Sequence, residues 1–71
     1  MSHRIRVEPL ASGWAVRHDD VANPQIFASG AKAESAAMKL GARMADAGDA
    51  TEIEIILRDG SVAGRFFCRA A

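Results

Sequence analysis

Apolar and polar positions alternate along residues 4–8, Arg-Ile-Arg-Val-Glu, with Ile5 and Val7 on one side and Arg4, Arg6 and Glu8 on the other. A period of two is the mark of a half-buried strand. Pro9 is expected to stop it, and Leu10-Ala11-Ser12-Gly13 reads as a connector. Trp14 and Val16 then alternate with Ala15 and Arg17, which predicts a second strand and a hairpin with the first. If Val7 stands opposite Trp14, His3 faces His18. Residues 19–30 are the least regular stretch. Asp19-Asp20 and Asn23-Pro24 are turn signals, while Ile26 and Phe27 are expected to tie the loop to the core.

The period changes over residues 31–47. Ala33, Ala36, Ala37, Leu40, Met44 and Ala47 follow helical spacing, and Lys32, Ser35, Lys39, Arg43 and Asp46 take the other side. Ser29 or Gly30 is placed to cap the start and Gly48 to end the helix. Gly41 costs roughly 0.8–1 kcal/mol relative to Ala inside a helix. Beside Ala37 and Leu40, it predicts a close approach to the sheet.

Residues 51–69 return to a period of two. Ile53, Ile55 and Leu57 alternate with Glu52, Glu54 and Arg58, and Ile56 joins the second set. Asp59-Gly60 between two such runs is a hairpin signal, read as a two-residue type I′ turn. That turn sets Leu57 opposite Val62, Ile55 opposite Gly64, Ile53 opposite Phe66 and Glu54 opposite Arg65. The last is an opposite-charge pair on the outer face. The expected fold is a single α+β domain over residues 1–71, ordered ββαββ. Its four-stranded antiparallel sheet carries one helix on one face.

Length sharpens this picture. The chain has 71 residues, nine Lys+Arg and nine Asp+Glu, for a formal net charge of zero. A domain of about 60 residues buries only roughly 60% of its unfolded surface, so a partner subunit, metal or disulfide often supplements the core. Cys68 is the only cysteine, which excludes an internal disulfide and fits a reducing compartment. No apolar run approaches the ~20 residues of a membrane span, and Met-Ser-His-Arg-Ile-Arg does not read as a signal peptide. A cytoplasmic location is expected. Charge neutrality counts against an indiscriminate polyanion binder.

Gly13-Trp14-Ala15-Val16-Arg17 after a short strand ending in Pro9, a loop with Pro24 and Phe27, Lys32-Ala33-Glu34 opening a helix, and an Ile-rich strand ending in Asp59-Gly60 together form a pattern. Over roughly residues 5–67 this pattern resembles the small bacterial proteins catalogued as domain of unknown function 2188. The resemblance implies a compact α+β fold and no particular activity. Ser35, the acidic segment Ala45 to Thr51, and Phe66-Phe67 depart from the pattern.

Arg4, Arg6, Arg17, Arg58, Arg65 and Arg69 fall in predicted strands and, by parity, point away from the helix, together with Ile56 and Phe67. Arginines around an exposed ring could hold phosphates while the ring stacks on a base. The same face could be a dimer interface, or a solvated one whose arginines pair with Glu8, Glu52 and Glu54. Those interleaved glutamates, and the single aromatic, weigh against nucleic acid. His3, His18 and Cys68 share the core-face parity. They lie far apart in sequence, so no metal site and no cofactor is assigned. Asp19-Asp20 beside His18 reads as a turn rather than an acid–base pair, and Trp14 as a core residue near Leu40 and Met44. No catalytic constellation or small-molecule substrate is indicated. The expected function is a non-catalytic interaction module that self-associates through its strand edges or its open sheet face. A nucleic-acid-binding module using Arg4, Arg6, Arg17, Arg58, Arg65 and Phe67 is the alternative. No membrane partner is expected.

Overall fold

The computed structural model of the protein describes residues 2–71. It contains β1 (Ser2–Leu10), β2 (Gly13–His18), β3 (Gln25–Phe27), α1 (Gly30–Asp46), β4 (Ala50–Ile56) and β5 (Val62–Cys68). The α+β class with one helix is as expected. The sheet, however, has five strands in the order β3-β2-β1-β4-β5, and it is mixed rather than antiparallel. β1 runs parallel to β4, from Ser2 opposite Ala50 to Val7 opposite Ile55. The other three pairings are antiparallel.

The added strand lies inside the stretch expected to be a loop. Gln25–Phe27 pairs with β2, setting Ile26 opposite Ala15 and Phe27 opposite Trp14. Three residues between Pro24 and Ser29 are too few to show a period, so pairing rather than patterning defines this strand. Phe27 does reach the core, but Ile26 points out and is exposed.

β1 also runs through Pro9. Its register with β4 ends at Val7, so Pro9 lies where β1 is paired on one side only, opposite Trp14 of β2. A missing N–H is tolerated there. Only Ala11 and Ser12 separate β1 from β2, and this short connection sets Val7 opposite Val16. The expected Val7–Trp14 register is therefore corrected by two residues.

The helix ends as its sequence indicates. The Ser29 side chain accepts from the Lys32 N–H at 3.2 Å. At the other end, Gly48 N–H donates to Ala45 O and Asp49 N–H to Met44 O, with Gly48 at φ +98°. This is the paired-bond closure of a Schellman motif. The buried stripe is Ala33, Ala37, Gly41 and Ala45, so Ala47 lies outside it and is exposed. A Cβ on Gly41 would stand 2.8 Å from Ile53 Cδ1 and 3.2 Å from Cys68 Sγ. The helix thus lies so close to β4 and β5 that any side chain at position 41 would have to displace Ile53. The core comprises Ile5, Val7, Val16, Ala33, Ala37 and Ile53, with Trp14, Phe27, Leu40, Met44, Ile55 and Cys68 packed around it. Trp14 sits at the helix start, where a Cβ on Gly30 would stand 3.0 Å from its ring. That is about 15 Å along the axis from Leu40, so the expected packing near Leu40 and Met44 is corrected.

In the β4–β5 hairpin, Ile53 opposite Phe66, Glu54 opposite Arg65 and Ile55 opposite Gly64 are as expected. The Leu57–Val62 pair is not formed. Val62 stands opposite Ile56, with a register shift between Ile55 and Ile56. Arg58, Asp59 and Gly60 form a three-residue loop closed by Leu57 N–H to Ser61 O at 2.8 Å and Gly60 N–H to Leu57 O at 2.9 Å. Only Gly60 has positive φ, +87°. A type I′ turn would need it at Asp59 as well. Asp59 instead accepts from the Ser61 N–H at 2.9 Å and from its hydroxyl at 2.6 Å.

Candidate functional site

The helix covers one face of the sheet and leaves the other open. Glu54, from the middle of β4, occupies the centre of the open face. Its side chain is 8% exposed, and guanidinium groups surround it. Arg65 Nε donates to Oε2 at 3.2 Å. Arg4 Nε lies 3.5 Å and Arg6 Nε 3.6 Å from Oε1. Strand register brings them together: Arg6 and Arg65 stand opposite Glu54, one strand away on either side. Glu8 forms a second node, accepting from Arg17 Nε at 2.7 Å with Arg6 Nη1 at 3.8 Å. Glu52 stands 3.5 Å from Arg4. The face therefore carries four arginines and three glutamates in one alternating network, a net charge of about +1. A depression lined by Arg4, Arg6, Arg17, His18, Asp19, Val21 and Pro24 opens beside it.

Arg4, Arg6, Arg17 and Arg65 thus occupy the face that parity assigned to them, as does Phe67, which stands opposite Glu52 and is 60% exposed. Ile56 is half-buried opposite Val62. Arg58 does not belong to the face. Parity ends where β4 ends, at Ile56, and the loop carries Arg58 across the end of the sheet. Its Nη1 donates to Leu10 O at 2.9 Å, and its guanidinium carbon lies 5.8 Å over the Trp14 ring. Arg69 follows β5 and is exposed.

The two edges of the sheet differ. β3 is three residues long, a length that offers little to a second chain. β5 is seven residues long, contains no proline and has one charged residue, Arg65. Val62 and Phe66 are each 41% exposed. Phe66 lies on the helix side, opposite Ile53, but the helix does not extend over it. Its ring packs instead beside Gly64. β5 therefore presents an uncovered backbone edge with phenylalanines above and below it. Parity could place Phe66 and Phe67 on opposite faces; it could not show that their strand is an edge.

The side chains that gather at the histidines differ from those sharing their parity. His3 and His18 do meet, with ring centroids 5.4 Å apart. They meet diagonally, because His18 stands opposite Ile5. Cys68 is not with them. It stands opposite Thr51, which stands opposite His3, so two strand spacings, roughly 9–10 Å, separate it from His3. Asp20 takes its place. The turn that Asp19-Asp20 signals does form, with Val21 N–H donating to His18 O at 3.1 Å.

No helix among the described residues is long and apolar enough to cross a membrane. Comparison with protein-family models, with curated proteins and with solved structures finds no match to this chain.

Proposed function

We propose that the protein is a non-catalytic interaction module of the cytoplasm that pairs with a second copy of itself, edge to edge, through β5. The observation that carries this reading is the contrast between the sheet's two edges. The three-residue β3 is blunted, whereas β5 is long, uncovered and flanked by exposed Phe66 and Phe67. The small core adds a motive, since chains of this length gain stability from a partner. Zero net charge removes long-range repulsion between copies. Kinship with the domain of unknown function 2188 proteins belongs to the same proposal and rests on the Gly13–Arg17 and Asp59-Gly60 motifs.

A symmetric dimer needs a self-complementary patch. A two-fold axis at Phe66 sets the two Phe66 rings against each other on the helix side and Arg65 against the partner's Phe67 on the open side. An axis at Arg65 would oppose two guanidinium groups. The first register pairs ring with ring and cation with ring. Engagement of Arg4, Arg6, Arg17 and Arg65 by glutamates favours this reading over nucleic-acid binding.

Sedimentation equilibrium over a wide concentration range, at low and high salt, tests it. A concentration-dependent dimer is expected. Phe66→Lys, which opposes two cations at the axis, should leave a monomer, while Phe67→Asp, placed opposite the partner's Arg65, should still dimerise. A monomer at every concentration would remove the reading. A dimer broken by Phe67→Asp and not by Phe66→Lys would move the interface to the open face.

A further inference from the structure

Three ligand-type side chains converge at the end of the sheet where β1 begins and β2 finishes. The turn after β2 folds Asp20 back so that its Oδ2 lies 3.1 Å from His3 Nδ1. One ring nitrogen each from His3 and His18 and one carboxylate oxygen of Asp20 all lie within 4.8 Å of one another. On the far side of the His3 ring, Nε2 faces Asp49 Oδ1 at 3.7 Å. The His18 Nε2 is buried and has no hydrogen-bond partner among the described residues.

We propose that His3, His18 and Asp20 form a binding site for a divalent first-row transition ion such as zinc, with Asp49 as the positioning residue for His3. Two imidazole nitrogens and one carboxylate are donors that suit such an ion. Metal–ligand distances of about 2.0–2.2 Å place tetrahedral donors roughly 3.3–3.5 Å apart. The His3–Asp20 separation is already that short. The remaining approach from 4.8 Å falls to Asp20, whose side chain is 66% exposed on a turn, and to His18 at the end of its strand. Buried polar atoms are normally satisfied, and an ion in this cluster would relieve the isolation of the His18 ring. Asp49 on the second nitrogen of His3 matches the carboxylate–histidine–metal arrangement that fixes tautomer and ring orientation. Three protein donors leave a position open to water, as in exchangeable rather than closed sites. The ion would join β1, β2 and their following loop, and binding to the folded form alone would stabilise it.

Zinc titration of the whole chain, followed by calorimetry and by bound-metal analysis after dialysis, tests the assignment. One ion per chain is expected, with zinc-dependent shifts of the His3 and His18 ring resonances. Asp20→Asn and His18→Gln should each weaken binding at least tenfold. Asp49→Asn should weaken it by roughly 10–100-fold, the usual range for such partners, and Asp49→Glu should restore part of that loss. Cys68→Ser should change nothing. Circular dichroism checks that each variant is folded, and the exposed Asp20 separates loss of a ligand from loss of structure. No stoichiometric zinc would overturn the site. So would binding unaltered by Asp20→Asn, or binding abolished by Cys68→Ser.

Discussion

Replacing Glu54 with Gln tests whether the open face is an organised network or a collection of solvated charges. The carboxylate is 8% exposed, and three guanidinium nitrogens lie 3.2, 3.5 and 3.6 Å from its oxygens. Removing one member of a fully buried ion pair costs about 3–5 kcal/mol. Here the arginines are 44–63% exposed and rehydrate when released, which discounts that figure. Glutamine keeps the shape of the side chain and one acceptor. The expected loss is therefore about 2 kcal/mol, in the range of hydrogen bonds to charged groups. For a domain of this size that corresponds to a fall in Tm of roughly 8–16 °C. Urea denaturation should show a lower midpoint with an unchanged m-value. A loss below about 0.5 kcal/mol, the scale of an ordinary surface substitution, would mean that no such network exists and that the arginines are independent surface groups. Glu54→Gln also raises the face from about +1 to about +2, leaves Arg65 without a carboxylate partner, and leaves Arg4 to Glu52 and Arg6 to Glu8 alone. If glutamates are what hold these arginines from phosphates, the variant should bind oligonucleotides better than the parent, most clearly at low salt.

Gly41→Ala gains roughly 0.8–1 kcal/mol of helix propensity but drives a methyl to 2.8 Å from Ile53 Cδ1. Overpacking of about 1–3 kcal/mol should win, giving net destabilisation in urea. Ile53→Ala, at a fully buried side chain, should cost about 2–5 kcal/mol, read by thermal melting. The bonds from Ser61 lower the Asp59 carboxyl below its ordinary value of 3.8. Its contribution to the hairpin is therefore present above that value and lost as pH falls through the lowered one. An NMR titration of the Asp59 carboxyl should show the depression, and Ser61→Ala should diminish it.

The parts of this fold visible in the sequence are those written as periods. Ile53, Ile55 and their partners on β5 announce a hairpin, and three of its four expected pairs are formed. Ser29, Gly41 and Gly48 mark the start, the close approach and the end of the helix, because each answers a local steric or hydrogen-bonding need. What escapes is adjacency. Parity sorts Arg4, Arg6, Arg17 and Arg65 onto one face, but not the fact that β1 lies parallel to β4 with Glu54 between Arg6 and Arg65. Gln25–Phe27 is too short to carry a period. Asp59-Gly60 invites a two-residue turn, yet the Asp59 carboxylate satisfies Ser61 and leaves a wider loop that turns Arg58 toward Trp14. The histidines show the same limit: shared parity brought His3 and His18 to one face, but only the turn at Asp19-Asp20 supplies the third donor.

Amide hydrogen exchange, followed residue by residue at low and high protein concentration, reads the proposed edge pairing at the strand itself. Pairing through β5 predicts that alternate amides of Val62–Cys68, those directed away from β4, exchange more slowly as concentration rises, while β3 amides are unaffected. Exchange along β5 that is independent of concentration, or protection that grows on β3 instead, would exclude pairing through β5.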